Sequence, residues 1–308
     1  MTYELFKETL VTELKGYFPP DTDISIYSVP RNNQTSVDGL TILESGYNIA
    51  PTIYIQEYYR KLKKGSSLSS IFAQILEAYY QYRPMENIDA SFFQDFAHIK
   101  KRIVCKLIHY ERNKALLREI PFIPFLDLAV VFYCLVSSNS AGTATILIHN
   151  EHLKLWNTNP DTLEKLAREN TPQLLSSHLE RLSSMLNSLN ACERIDLSNL
   201  SAELGGPLDL SAYASIPMYI LTNKLRFLGA SCILYEGLLS DFAKRHNSDL
   251  YIIPSSVHEV LLVPARPSMT KDSFNEMIAE VNSTQLSPEE ILSDHVYYYD
   301  RKADRILG

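Results

Sequence analysis

The stretch DLYIIPSSVHEVLLVP, residues 249–264, sets Ser255, Ser256, His258 and Glu259 within five positions. A hydroxyl, an imidazole and a carboxylate are the parts of a nucleophile, its base and the group that orients the base in acyl-transfer hydrolysis. Strand periodicity works against a local triad. Ser256, His258, Val260 and Leu262 would share one face, and Val257, Glu259, Leu261 and Val263 the other. His258 and Glu259 then point opposite ways. A second reading stays open, because Ser256-Val-His-Glu259 also fits the S-x-x-E capping box of a helix start. Pro254 suits the second position of a type I turn. Either way the serine and glutamate have a structural occupation, and His258 is expected to face the core. The catalytic candidates are His258 as base, with Ser256 or Asp127 in support.

Asp127 opens an apolar strand, LAVVFYCLV, where an unpartnered carboxylate would be costly. Asn223, Arg226 or a backbone amide are the partners to look for. His149 and His152 flank Asn150-Glu151, but the HExxH spacing of a zinc helix is missing. Neither LGGP nor LGAS has the GxxxxGK or GxGxxG pattern of a phosphate loop. Cys105, Cys134, Cys192 and Cys232 are scattered, with no CxxC spacing. No metal and no cofactor is expected.

The elements that would position these residues can be read from period and punctuation. Thr2 caps a helix with Phe6, Leu10 and Leu14 on one face, ended by Pro19-Pro20. ISIYSVP and VDGLTIL form a hairpin about RNNQTS, with TIYI as a third strand. EYYRKLKK, stopped by Gly65, and SLSSIFAQILEAYYQY form an αα-hairpin. A basic helix with Phe92, Phe96, Ile99, Ile103 and Leu107 on one stripe comes next. FLDLAVVFYCLV and ATILIHN make a second hairpin. Asn159-Pro160 and Thr171-Pro172 each start a helix, the latter carrying Leu175, Leu179, Leu182, Leu186 and Leu189. PMYILTN is a strand, GASCILYEGLLSDFAKRH a helix, DLYIIPSSVHEVLLVP a hairpin and DSFNEMIAEVN a helix. Ser287-Pro288-Glu289-Glu290 caps a short helix before the last strand, HVYYYDR. The class is α+β, with mainly antiparallel sheet built from hairpins and helices between them. Two regions are expected: 1–120, with the αα-hairpin and basic helix, and 121–308, with a flexible insertion at 190–215.

Length and composition agree with a folded globular chain: 308 residues, 45% hydrophobic and 21% charged. The N-terminus shows no signal-peptide pattern, and IPFIPFLDLAVVFYCLV is interrupted by prolines and Asp127, so no membrane span is expected. The scattered thiols fit a reducing cytoplasm. Charge is uneven. Between Tyr58 and Arg118 twelve Lys/Arg face five Asp/Glu, a local +7 in a chain of net −7. Two complementary faces of one fold, or a basic surface for an acidic protein or nucleic acid, would each explain that.

Tyr58, Tyr59, Arg60, Lys61, Lys63 and Lys64 on the first helix of the αα-hairpin are the candidate binding surface. Tyrosine buries area while keeping a polar tip, which suits interfaces. The blocks RNN…GLTI, NIAPTIYIQEYYRKLKKG, PFLDLAVVFY, LARENTPQLL, MYILTN, LGASCILY, IIPSSVHEV and AEVNSTQLSPEEILSDHVYYYDR, in this order, resemble the Firmicute family of unknown function DUF5688. The C-terminal blocks also look like a second uncharacterised bacterial family. The resemblance implies a bacterial, cytoplasmic accessory protein and carries no catalytic residues. The functional expectation is a non-enzymatic interaction protein with a protein partner, from an accessory or mobile-element gene with a defence-related role. The alternative is a hydrolase-like enzyme with a cleft near the 254–259 turn, and the third is nucleic-acid binding through residues 58–118.

Overall fold

Local rules decide the first elements. Thr2 accepts the Leu5 amide and starts helix α1 (Tyr3–Leu14), whose Phe6, Leu10 and Leu14 are buried. Strands β1 (Asp23–Pro30), β2 (Ser36–Leu43) and β3 (Thr52–Tyr54) form a three-stranded antiparallel sheet in the order β1-β2-β3. Its inner face sets Ile24, Leu40, Ile42 and Ile53 against α1 and the αα-hairpin of α2 (Gln56–Lys63) and α3 (Leu68–Tyr82). Gly65, at φ +103°, breaks the chain between those helices, as a left-handed terminator should.

The computed structural model describes residues 1–83, 87, 90–139, 142–184 and 216–308. The chain divides into two units, Met1–Gln94 with Ser137–Thr143, and Asp95–Val136 with Ala144–Gly308. The expected boundary near 120 therefore falls inside the second unit. The expected insertion at 190–215, and Cys192 with it, lie outside the described residues.

Strands β4 (Ile103–His109), β5 (Phe122–Phe125), β6 (Leu128–Asn139) and β7 (Gly142–Leu147) form an antiparallel sheet in which β6 pairs with the other three; it belongs to the second unit apart from Ser137–Thr143. The expected basic helix is corrected here. A short helix, α4 (Phe96–Ile99), leads through one 3-10 turn into β4, which pairs with β6 along its whole length. Ile103 and Leu107 are four apart, a spacing that a helix face and a strand face share. The β-branched residues around them and burial on both faces decide for the strand. β5 and β6 are joined by a tight turn at Leu126-Asp127, with Leu126 at φ +55°.

After the short helices α5 (Lys114–Leu117) and α6 (Asn150–Leu155), α7 (Pro160–Leu174) starts at the Asn159 cap as expected. It runs through Thr171, so the second helix expected there is also corrected. Pro172 sits in the last turn of α7, and the chain leaves it as strand β8 (Ser177–Arg181). The six-stranded sheet has the order β13-β12-β10-β11-β9-β8, with β9 (Tyr219–Asn223), β10 (Leu250–Ser256), β11 (Glu259–Pro264), β12 (Tyr297–Asp300) and β13 (Arg305–Leu307). Its pairs are antiparallel. Helix α9 (Lys271–Thr284) covers one face through Phe274, Met277 and Ile278, against Tyr251, Ile253 and Val263. Helix α8 (Leu238–His246) is shorter than expected, because GASCIL winds as a 3-10 segment ahead of it. Ser287–Glu290 makes a turn rather than a capped helix, with the Glu290 amide donating to the Ser287 carbonyl. The α+β class and its antiparallel sheets stand.

Gly229 marks the closest approach in this unit. A Cβ there would lie 2.5 Å from the His258 carbonyl oxygen and 2.8 Å from the Asn223 amide nitrogen. Backbone cannot yield as a side-chain tip can. Gly229→Ala is expected to cost about 2–4 kcal/mol in urea unfolding; an unchanged midpoint would refute the close packing.

Candidate functional site

The hairpin reading of residues 249–264 is the one the structure adopts, with a different turn. Ser256 pairs directly with Glu259 across the ladder, and Val257-His258 form the two-residue turn. Pro254 lies inside β10, and the register shifts between Pro254 and Ser256. The expected split of His258 from Glu259 by alternation is thereby replaced: His258 is a turn residue, and Ser256 and Glu259 are cross-strand partners.

Ser256 and His258 are both already engaged with backbone. The Ser256 hydroxyl oxygen accepts the His258 amide at 3.0 Å. His258 Nδ1 accepts the Leu228 amide at 3.2 Å, and the His258 carbonyl accepts the Thr222 hydroxyl at 2.8 Å. With Nδ1 accepting, the neutral ring carries its proton on Nε2 and presents a donor. A general base for Ser256 would need that nitrogen bare. Burial holds His258 below the ordinary histidine value, Glu290 pulls it up and Lys106 pushes it further down. Glu290 was read from the sequence only as a cap, so its proximity to His258 was missed.

The loop that meets His258 is built around Asn223, which is fully buried. Its Nδ2 donates to the Phe227 carbonyl at 2.6 Å, and its Oδ1 accepts the amides of Leu225 and Phe227. Arg226 and Leu228 both have positive φ, 51° and 57°. This bond set holds two non-glycine residues in left-handed backbone and leaves Lys224, Leu225 and Arg226 exposed. Arg226 reaches Glu180 at 3.3 Å, and Glu180 lies 3.4 Å from His178. Burial raises Glu259, and Arg226 partly offsets it.

Asp127 is occupied elsewhere. Its Oδ2 accepts the Ser293 hydroxyl at 2.6 Å and its Oδ1 the Tyr297 hydroxyl at 2.5 Å. Neither partner is among those the sequence suggested; both lie about 170 positions away, and no local signal links them. Beside them, Arg112 Nη2 donates to both oxygens of Asp294 at 2.9 and 2.7 Å, Asn282 donates to Asp294 at 3.0 Å, and His109 Nε2 stands 3.9 Å from the same carboxylate. Burial lowers His109 and pushes the Tyr297 phenol well above its ordinary range. Ser293 and Tyr297 are closed to solvent. The cluster is a satisfied polar network.

In the first unit, Tyr58 and Tyr59 are half-buried on the core. The Tyr59 ring lies 4.9 Å from Tyr3 and 5.5 Å from Phe6, and its hydroxyl donates to the Met1 carbonyl. Arg60, Lys61, Lys63 and Lys64 are exposed. Lys61 and Lys63 each stand 5.5 Å over a tyrosine ring, Tyr58 and Tyr59 respectively. Five of the six residues thus lie on α2 and Lys64 follows it directly, with Tyr58 beneath Lys61 and Tyr59 beneath Lys63. On α3, Tyr79 is buried while Tyr80 and Tyr82 are 51% and 45% exposed. The basic stretch 58–118 is divided between the two units.

His152 Nδ1 accepts the His149 amide at 2.9 Å, and its ring stacks on Trp156 at 5.3 Å. The HNEH pair therefore serves the start of α6. Among the described residues no group of three or more His, Cys, Asp or Glu is placed to hold a metal ion, and no helix is long and apolar enough to cross a membrane.

Fold and site together define an α+β protein of two units whose conspicuous polar residues are largely spent on backbone. The chain matches the profile of the family of unknown function DUF5688 over residues 3–301, and belongs to that family. Searches of curated proteins and of solved structures return no match.

Two predictions follow from this chemistry. Tyr297→Phe leaves Asp127 Oδ1 without its donor and should cost about 1–3 kcal/mol in denaturant unfolding; no loss would show that the bond adds nothing. His109, His152, His246 and His258 are all lowered, mainly by burial, from the ordinary 6.5. The unfolded chain therefore binds protons first, and stability should fall as pH drops below about 6.5. Glu259, raised from 4.5, acts in the opposite sense in a lower window. Thermal midpoints from pH 7.5 to 5 check the sign, and a midpoint that rises on acidification would contradict it.

Proposed function

We propose that this is a non-enzymatic interaction protein that binds a protein partner through its αα-hairpin. The observation that carries the reading is that one αα-hairpin exposes Arg60, Lys61 and Lys63 on α2, Lys64 directly after it, and Tyr80 and Tyr82 on α3. Cations give electrostatic selection and fast encounter, and tyrosines give contact area at low entropic cost. An acidic protein surface is the complement. A bacterial cytoplasmic setting, as an accessory or mobile-element gene with a defence-related role, fits that reading. The engagement of Ser256 and His258 with backbone ranks a hydrolase lower, and the division of residues 58–118 between units ranks nucleic acid lower.

The test is capture from a lysate of the source cells, comparing wild type with the triple variant Lys61→Glu/Lys63→Glu/Lys64→Glu. The helix should persist by circular dichroism, while affinity for the captured protein should fall on the order of tenfold or more. Equal capture by both would sink the proposal. A mobility shift with single-stranded DNA or RNA at low salt, lost in the variant, would favour nucleic acid instead.

A further inference from the structure

The three-stranded sheet of the first unit packs one face on its helices and turns the other outward, as antiparallel sheets can. Register and alternation order that outer face in rows. One row across the strands is Ser25, Thr41 and Thr52, and the next is Tyr27, Gly39 and Tyr54. The Ser25 and Thr41 hydroxyls stand 3.2 Å apart, and the Tyr27 hydroxyl meets that of Thr52 at 3.3 Å. β1 and β3 are two strand spacings apart, about 10 Å, so Tyr27 reaches Thr52 only with its ring laid along the sheet. One side of the ring is then turned outward, and Tyr27 is 46% exposed. Gly39 makes room for this row. A Cβ there would lie 2.5 Å from the Thr52 methyl and 2.9 Å from a Val29 methyl.

Beside that ring sits a second flat group. The Arg31 guanidinium lies 4.0 Å over the ring of Tyr54, which is 38% exposed. Among the described residues no carboxylate pairs with it, so a planar fork of N–H donors is held in place without an acid partner. These parts narrow the ligand. An outward aromatic face attracts polarised C–H bonds through its quadrupole, and the guanidinium fork and hydroxyl row suit neighbouring hydroxyl groups. The charges on this face are one cation, Arg31, and one anion, Asp23, at the far end of β1. A nucleic acid needs several cations along its track. The aliphatic side chains here, Val29, Val37 and Leu43, are already half-buried and leave little apolar area for a protein. A sugar chain has the C–H faces and the hydroxyls, and needs no net charge opposite it.

We propose that the outer face of the β1-β2-β3 sheet binds an extended, neutral glycan of the flat β-1,4-linked type. One sugar ring stacks on Tyr27, and hydroxyls of the adjoining ring accept from Arg31. The surface is separate from the exposed side chains of α2 and α3, so either proposal can fail while the other stands. A shallow platform binds weakly, and dissociation constants on the order of 0.1–1 mM are expected.

Isothermal titration of the full chain with cellohexaose tests it, with maltohexaose, whose α-1,4 chain coils, and poly(U) as comparisons. Cellohexaose should bind at least about tenfold more tightly than maltohexaose. Tyr27→Ala and Arg31→Ala should each weaken binding on the order of tenfold, while Tyr27→Phe, which keeps the ring, should stay within about threefold. Circular dichroism verifies that each variant folds. No binding of cellohexaose at about 2 mM, equal binding of maltohexaose, or Tyr27→Ala binding as wild type does would overturn the proposal. Binding of poly(U) that Tyr27→Ala abolishes would also overturn it and assign the face to nucleic acid.

Discussion

The Asp127 carboxylate is the joint on which the second unit depends. It sits in the β5–β6 turn of one sheet and takes hydroxyl hydrogens from Ser293 and Tyr297, at the entry to β12 of the other. Each bond spans more than 160 residues of chain. The carboxylate is only half-buried, and two short charge-assisted bonds from buried hydroxyls engage it. Asp294 repeats the device one residue along, held by Arg112 from the 3-10 turn after β4 and by Asn282 from α9. The two sheets are thereby tied at one place by polar bonds whose geometry is specific, where apolar packing alone would permit sliding.

The 249–264 hairpin shows how residues of catalytic type can be consumed by architecture. A histidine whose Nδ1 takes a backbone amide has surrendered the tautomer it would need as a base toward a hydroxyl at Nε2. A serine that accepts the amide two residues on completes a turn. The same accounting applies to Asn223, which satisfies three backbone groups of its own loop, and to His152 at the start of α6. Composition alone does not distinguish these jobs from chemistry; the bond partners do.

Much of the fold was legible because its signals are local. The β1–β2 hairpin, the αα-hairpin with its Gly65 break, α7 from its Asn159-Pro160 start, and the β10–β11 pairing all rest on caps, turns and periods within about ten residues. Two helices were misread where spacing is ambiguous. Ile103 and Leu107 suit either element, and the leucines after Thr171 suggested a helix where β8 gains a ladder with β9. The candidate surface on α2 could be read because exposure follows from charge. The partners of Asp127 could not, since nothing near residue 127 encodes a hydroxyl at 293 or 297.

The close approach at Gly229 also bears on the order in which the chain assembles. β10 and β11 are adjacent in sequence, so their ladder can close early at small loop entropy. The turn that joins them is different. Its carbonyl waits for Thr222, its imidazole for Leu228 and its bulk for the bare Cα of Gly229, all about 30 residues upstream. The ladder can therefore exist with an unfinished tip, and the tip is completed only when the β9 loop docks. Contacts of that separation close after a local hairpin, so the stretch with the most suggestive chemistry is finished only after its own two strands have paired.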